Sequence, residues 1–233
     1  MDLNVGEFKI SSIETDSNNL IETASDAQIG HGTFDTRISR NGNAATAEIS
    51  TRKAAGISGT IKLTKQIPLS LSLNAGVSVI VMDLSSLQVS QIIVKADAGH
   101  YVITMPETGN ITAAVNSGLG NIEIIIPNTI AARIQLNSAD MTVIDINQKR
   151  FLQNGNAYTS ANFDTAERRI ELKIESAIGR VSIKWIDLPG ALTGYRYRFP
   201  FYQTETAQTY GILACQRACI DCIHAECYYL ART

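Results

Sequence analysis

Residues 71–126 have the sequence LSLNAGVSVIVMDLSSLQVSQIIVKADAGHYVITMPETGNITAAVNSGLGNIEIII, in which a short small-residue segment precedes an alternating apolar run three times. These segments are residues 74–76 (NAG), 97–99 (DAG) and 117–120 (SGLG). Apolar, often β-branched residues at every second position are typical of β-strands with one buried face. Gly, Asn and Asp punctuate such strands, so we expect a turn at each segment.

The spacing of these turns is nearly constant. Gly76, Gly99 and Gly120 are 23 and 21 residues apart, and Asp140, in a fourth turn, follows after 20 residues. A period in this range is typical of solenoids, in which each repeat buries its apolar face against its neighbours. Similar turns occur at residues 3–6 (LNVG) and 176–179 (SAIG). We therefore expect successive units to stack around a continuous core.

The alternation also predicts which side chains face that core. The predicted inward sets are Ile61-Leu63, Leu69-Leu71-Leu73, Val77-Val79-Val81, Tyr101–Ile103, Ile122-Ile124-Ile126, Met141–Ile144, Ile170-Leu172-Ile174 and Val181-Ile183. Between the fourth turn and residue 176 the chain is longer than one period, and the Asn- and Gly-rich residues 149–158 fit a loop. A β-sandwich with coincidental spacing is the alternative fold.

Composition divides the chain near residues 187–190 (DLPG), where Pro and Gly interrupt the strand pattern. Residues 1–186 form the predicted solenoid domain, and residues 187–233 contain six of the eight tyrosines and all four cysteines. We expect this tail to be partly helical or disordered, with an amphipathic helix over residues 204–230. Such a helix could cap the open end of a solenoid.

Residues 162–183 (NFDTAERRIELKIESAIGRVSI) resemble the closing coils of bacterial toast-rack domains, and the upstream small-residue turns resemble the recurrent turns of the same family. The resemblance covers residues 1–185. It implies an all-β, single-stack, right-handed β-solenoid and a non-enzymatic module of the cell envelope, used in stress sensing or in adhesion. Related domains include the C-terminal domain of LiaF-like proteins and adhesin-head domains.

The sequence contains no recognisable catalytic grouping. There are three histidines, His31, His100 and His224, and there is no nucleophile elbow, P-loop or G-x-G-x-x-G motif. The histidines are interpreted as solvated residues, because no carboxylate or cysteine spacing completes a site around them. We expect neither an enzyme nor a cofactor, although a lyase-like β-helix enzyme remains an alternative.

Charged residues suggest two weaker sites. An acidic set in the middle of the chain could bind calcium, although it lacks the spacing of a calcium loop; it comprises Asp83, Asp97, Glu107, Glu123, Asp140 and Asp145. A basic set could bind an anionic polymer or lipid headgroup, or could simply be solvated; it comprises Arg37, Arg40, Arg52, Lys53, Lys62, Lys65, Lys149, Arg150, Arg168 and Arg169.

The four cysteines have a compact spacing, Cys215-x3-Cys219-x2-Cys222-x4-Cys227, with His224 among them. These residue types bind zinc, but structural zinc sites usually place a longer span between two pairs. Reduced cysteines on one face of a helix are the favoured interpretation. Zinc coordination and disulfide bonds remain alternatives.

Charge and hydropathy limit the partners. The net charge of -2 gives no basic field for nucleic acid, and the sequence predicts neither a transmembrane helix nor a signal peptide. We therefore expect a protein partner, either a membrane signalling protein or a second copy. The expected function is an envelope-associated scaffold, and the alternative is an adhesin-like module that binds surface glycans or polymers.

Overall fold

A computed structural model describes residues 1–14, 17–25, 33–41, 44–52 and 57–186. This part of the chain is almost entirely β-structure, with one 3₁₀ turn at Gln148–Arg150. The strands are β1 (Asp2–Ser12), β2 (Ile21–Ser25), β3 (Thr33–Asn41), β4 (Ala44–Arg52), β5 (Ile57–Leu63), β6 (Leu69–Asp83), β7 (Val89–Thr104), β8 (Asn110–Pro127), β9 (Ala131–Ser138), β10 (Thr142–Ile146), β11 (Phe151–Asn154), β12 (Ala157–Ser160) and β13 (Arg169–Ile186).

Each long strand has a corner at its middle. The parallel ladder between β6 and β7 pairs Ala75 with Ala96 and Val77 with Ala98, and it skips the residues between them. We call the part of each coil before this corner arm A and the part after it arm B. The predicted turns at residues 74–76, 97–99, 117–120 and 176–179 are therefore wrong as strand ends, because the strands continue through them.

The corner also shifts the alternation by one residue. In β6 the inward residues of arm A end at Ala75, and those of arm B begin at Ser78 and continue with Ile80 and Met82. The predicted inward set Val77-Val79-Val81 is consequently wrong: it lies on the outer face, and Val77 is 60% exposed. An inserted residue that moves side chains to the opposite face is the ordinary effect of a β-bulge.

Close backbone approach explains why the corner contains small residues. Ser78, Gly99, Gly120 and Gly179 follow one another in neighbouring strands. Gly120 has φ +139°, and a Cβ atom there would lie 2.0 Å from the carbonyl oxygen of Gly99. Only glycine tolerates both the backbone angle and the contact. Beneath this corner, the hydroxyl of the buried Tyr101 donates to the Ala98 carbonyl at 2.6 Å.

Coils in the middle of the stack follow the order of the chain. Ser78 pairs with Gly99 and Gly99 with Gly120, and from Ser70 onward β6, β7 and β8 are related by an offset of 21 residues. Parallel strands joined by short turns outside the ladder produce this solenoid geometry. The repeat predicted from the sequence is confirmed for these coils.

Both ends of the stack depart from that order. The last described strand, β13, lies between β8 and the pair β9 and β10: β9 pairs with its arm A and β10 with its arm B. The first strand, β1, is inserted in the same way between β6 and the pair β4 and β5. The prediction that successive units stack in sequence is therefore wrong at both ends.

Polar contacts accompany the insertion of β13. The Asn116 amide of β8 donates to the Glu175 carboxylate of β13 at 2.9 Å. Further along the same strands, Lys184 forms an ion pair with Glu123 at 2.9 Å. Each contact joins residues that are distant in sequence. Insertion gives β13 a hydrogen-bonded neighbour on both sides, and the edges of the stack are formed by internal segments.

Antiparallel strands cover most of the end coils. At one end β3 pairs with β4 and β2 with β5, whereas at the other end β12 pairs with β9. The residues predicted to form a loop, 149–158, instead contain most of the 3₁₀ turn, all of β11 and the first half of β12, and β11 and β12 form a hairpin. The sequence pattern missed this hairpin because its strands are only four residues each.

One core of Ile, Leu and Val side chains runs through the stack, and the other predicted inward sets contribute to it, except for Met141–Ile144. Burying each such side chain contributes about 1.5–3 kcal/mol. The predicted all-β, single-stack solenoid is confirmed. The predicted helical tail and the boundary at residue 187 lie outside the described residues.

Candidate interaction surfaces

The most distinctive surface is the end of the stack formed by β9, β10 and the hairpin. A cavity of about 570 Å³ opens there. It is lined by Leu136, Asn137, Ser138, Ile144, Gly155, Asn156 and Tyr158. The hairpin is tied to β9 by a hydrogen bond of 2.9 Å from the Asn156 amide to Asn137 Oδ1. The cavity therefore has a fixed wall on its arm A side.

On the arm B side of this end, no described strand covers β10. Ile144 is paired with the buried Val181, so its side chain faces the core, yet 38% of it is exposed. Its neighbour Val143 faces outward and is 56% exposed. By contrast, Leu136 and Tyr158, on the arm A side of the same cavity, are buried. The core thus ends in an open apolar site beside β10.

A second, smaller cavity of about 220 Å³ lies at the base of the hairpin, where Arg150 and Ser160 line it. It is lined by Asn128, Thr129, Ile130, Arg150, Ser160, Ala161, Asn162 and Trp185. The Trp185 ring contacts Phe151, tilted by 44° with 5.3 Å between the ring centroids, and the Arg150 guanidinium lies 5.2 Å from the centroid of the same ring. These two contacts anchor the hairpin against the end of β13.

Apolar side chains are also exposed along the corner. Val5, Val77, Ala98, Leu119 and Ile178 occupy one row across five neighbouring strands. Four of them are large and exposed, because the corner directs this row outward. Rows of this kind often mark contact surfaces.

Comparison with known proteins places the chain in a family. Residues 1–125 match the family described as the N-terminal domain of toast_rack, DUF2154. The chain belongs to the toast-rack family. Among curated proteins, none matches this toast-rack chain. Among solved structures, it is similar to a crystal structure described as a putative cell adhesion protein from Clostridium sporogenes, with 18% identity and a TM-score of 0.63. The similarity covers 79% of this chain and 90% of the other, and at this identity it shows a shared fold.

The predicted polar sites are dispersed over the toast-rack fold. His100 is half-buried within β7, where the sequence predicted a turn, and His31 and His224 lie outside the described residues. The acidic set occupies different strands and loops, and the described residues contain no group of three or more potential metal ligands. Calcium binding gains no support from this arrangement.

The basic set is also divided. Arg37 is exposed on β3 and Lys62 lies on β5, at one end of the stack, whereas Lys149, Arg150, Arg168 and Arg169 lie near the other end. The structure does not bring them into one patch. Lys53 lies outside the described residues.

The zinc candidates Cys215, Cys219, Cys222 and Cys227 lie outside the described residues. Across the described ranges, the structure contains no helix that is both long enough and apolar enough to span a membrane.

The sequence pattern did not indicate the exposed end of the stack at β10. Residues 142–146 (TVIDI) have the same alternation as the buried strands, so the pattern predicted burial for Ile144. Exposure depends on which strand lies next to β10, and the alternation of one strand carries no information about its neighbour.

Proposed function

We propose that this toast-rack chain is a non-enzymatic interaction module of the bacterial cell envelope, which serves as a scaffold for a membrane signalling protein in stress sensing. The observation that carries the proposal is the family match over residues 1–125. The open apolar end supports it, because a surface of this kind suits a polypeptide partner. Within the described residues, no acid, base and nucleophile converge on either cavity.

Affinity recovery from membranes tests this proposal. The tagged full chain is incubated with a membrane extract of the source bacterium, and bound proteins are identified by mass spectrometry. We expect an envelope sensor or stress-response protein to be recovered reproducibly. The control is Gly120→Val, which disrupts the corner and so reports capture by an unfolded chain. Recovery of no envelope protein, or equal recovery by this control, would contradict the proposal.

An adhesin-like function is the second candidate. It is favoured by the similarity to a protein described as a putative cell adhesion protein. Polar side chains on the outer faces of the strands, such as Ser70, Ser72 and Asn74 in β6, suit contact with a hydroxylated polymer. A glycan array probed with the folded chain checks this function, and a signal no higher than background would remove it.

A further inference from the structure

Four strands form the end coils of the stack, β4, β5, β9 and β10. Three of them have an antiparallel neighbour on their outer side. β4 is covered by β3, β5 by β2 and β9 by β12, and each covering strand is antiparallel to the strand that it covers. β10 pairs with β13 on one side, and among the described residues no strand pairs with its other side. Within the described ranges, β10 is therefore the one end strand without an antiparallel neighbour.

The backbone of β10 presents hydrogen-bonding groups at this position. The Gly179 N–H of β13 donates to the Met141 carbonyl at 3.4 Å. Because the groups of successive residues alternate in direction along a strand, Val143 and Asp145 also face β13. The N–H and C=O groups of Ile144 and Ile146 then point toward the open side. Exposed groups of this kind form a template for strand addition.

The surroundings limit what can bind there. On arm A the hairpin β11 and β12 extends two strands, or about 10 Å, beyond β9. A second copy of the stack, placed directly on β10, would collide with this hairpin. A single extended segment fits beside it, and an apolar side chain of that segment could enter the cavity between Ile144 and Tyr158.

Charge adds a second element of selectivity. On the outer face of β10 the only ionisable residue is Asp145, and Asp140 precedes the strand. Both aspartates are exposed. A basic residue directly opposite Asp145 would form a favourable cross-strand pair, whereas an acidic residue would be repelled.

We propose that the edge of β10 facing away from β13 accepts an extended segment of a partner polypeptide as an antiparallel strand. Apolar residues of the segment contact Ile144 and the cavity, and alternating Lys or Arg residues lie opposite Asp145. This inference rests on the proposed function, since it identifies where the scaffold binds its protein partner and what kind of segment that partner supplies.

A short peptide with this alternation is a suitable probe. Residues 195–199 of this chain have the sequence YRYRF, so we choose the synthetic peptide GYRYRFP. The matched control is GYEYEFP, which keeps the aromatic residues and reverses the charges. The protein is the full chain, both wild type and with Tyr195, Tyr197 and Phe199 changed to Ser to remove the identical segment.

Binding affinity and amide exchange measured by NMR give the result. We expect GYRYRFP to slow exchange at Ile144 and Ile146 by about tenfold or more, and exchange at Val143 and Asp145 to change little. GYEYEFP is expected to bind about three- to fivefold more weakly. Ile144→Lys should abolish binding, whereas Ile38→Lys, at an exposed position on β3, should leave it intact.

Four results would overturn the inference. The first is absence of peptide binding to either form of the protein, and the second is binding that leaves exchange at Ile144 and Ile146 unchanged. The third is slow exchange at Ile144 in the free wild-type chain that is lost in the triple Ser variant, which would assign the edge to this chain itself. Recovery of an envelope partner by Ile144→Lys would overturn this inference and leave the proposed function standing.

Discussion

The middle and the ends of this solenoid are built from the same kind of strand but in different orders. From β6 to β8 the next strand along the chain is the next strand in space. At the ends, β1 and β13 are inserted between strands that lie between them in sequence. Insertion gives both terminal strands two neighbours, and it leaves the edges of the stack to shorter internal strands.

This difference shows where a solenoid needs additional cover. A middle coil is covered on both sides by similar coils of the same chain, so its side chains need only alternate between the core and the solvent. An end coil requires a strand of another kind. The chain supplies β2, β3 and β12 for three of the four end positions, and the position beside β10 has none among the described residues.

Substitution of a corner glycine should have the largest effect on stability. The effect should be equally large in the middle coils and in the inserted strand β13. Gly120→Ala and Gly179→Ala each place a Cβ atom within 2.0 Å of a neighbouring carbonyl oxygen at positive φ. We expect each to lower the free energy of unfolding by about 3–5 kcal/mol, measured by urea denaturation.

The control for this prediction is Gly109→Ala. Gly109 also has positive φ, at +99°, but a Cβ atom added there would have no other atom within 4 Å. The expected loss is about 1–2 kcal/mol, from the backbone angle alone. Similar losses of stability for Gly109→Ala and Gly179→Ala would show that the close backbone contact at the corner does not extend into β13.

Truncation of core residues distinguishes the inserted strand from the uncovered one. Ile174 in β13 is buried between two neighbouring strands, whereas Ile144 in β10 is 38% exposed. Ile174→Ala should lower the free energy of unfolding by about 2–4 kcal/mol, and Ile144→Ala by about 1 kcal/mol or less. Equal losses, measured by thermal or urea unfolding, would mean that β10 is as well covered as β13.

Tyr101 links the stability of the middle coils to alkaline pH. Burial raises the pKa of its hydroxyl above the ordinary value of 10.0, because the phenolate would be desolvated. Its contribution to stability is therefore complete below pH 10 and is lost as the pH rises through the folded-state pKa. Tyr101→Phe should lower stability at neutral pH by about 1 kcal/mol, through loss of the hydrogen bond to Ala98.

Unfolding measured across the alkaline range checks this prediction. Tyr101→Phe should have a weaker loss of stability with rising pH than the wild type. Tyr158→Phe is the control, because Tyr158 lies in the hairpin and its hydroxyl accepts a hydrogen bond of 3.1 Å from the Gln153 amide. If both variants showed the same reduction in the dependence of stability on alkaline pH, the effect would not arise from Tyr101 at the corner.

The smallest expected effect concerns the Glu175 carboxylate of β13, which also contacts Asn116 of β8. The Lys173 ammonium lies 2.6 Å from the Glu175 carboxylate and holds the pKa of that group below its ordinary value of 4.5. The associated stability is present above pH 4.5 and is lost as the pH falls through the folded-state pKa. Lys173→Met should raise the pKa of Glu175 in an NMR titration.

Asn116→Ala provides the structural comparison, because it removes the contact that Glu175 makes with β8. We expect a smaller rise in the pKa of Glu175 than Lys173→Met produces. An unchanged pKa in both variants would contradict the arrangement of these side chains at the junction of β8 and β13.

Much of the middle of the fold could be predicted from the sequence. Alternation identified Leu71 and Leu73 as inward residues, and the spacing of Gly99 and Gly120 equals the offset of the ladder. The inward set of arm B in β6 could not be obtained by continuing the alternation, because the residue at the corner shifts it by one. Val77 and Ile80 therefore exchange the faces that the pattern predicts.

The ends and the candidate site could not be predicted for a different reason. β13 lies beside β8, which is 59 residues away at the pair Gly120 and Gly179, and no local pattern specifies such a pairing. The exposure of Ile144 follows from the same arrangement, because it depends on what lies beside β10, where the described residues place no second strand, and not on residues 142–146 themselves.

Disulfide trapping of strand order tests the insertion of β13 most directly. In a full chain with Cys215, Cys219, Cys222 and Cys227 changed to Ser, two cysteine pairs are introduced separately, Thr112→Cys with Glu171→Cys and Thr112→Cys with Arg133→Cys. Thr112 pairs with Glu171, and Glu171 separates it from Arg133. A disulfide requires Cα atoms within about 7 Å, and strands two positions apart exceed this distance. Rapid oxidation of the first pair alone is the predicted result, and rapid oxidation of the second pair alone would contradict the account.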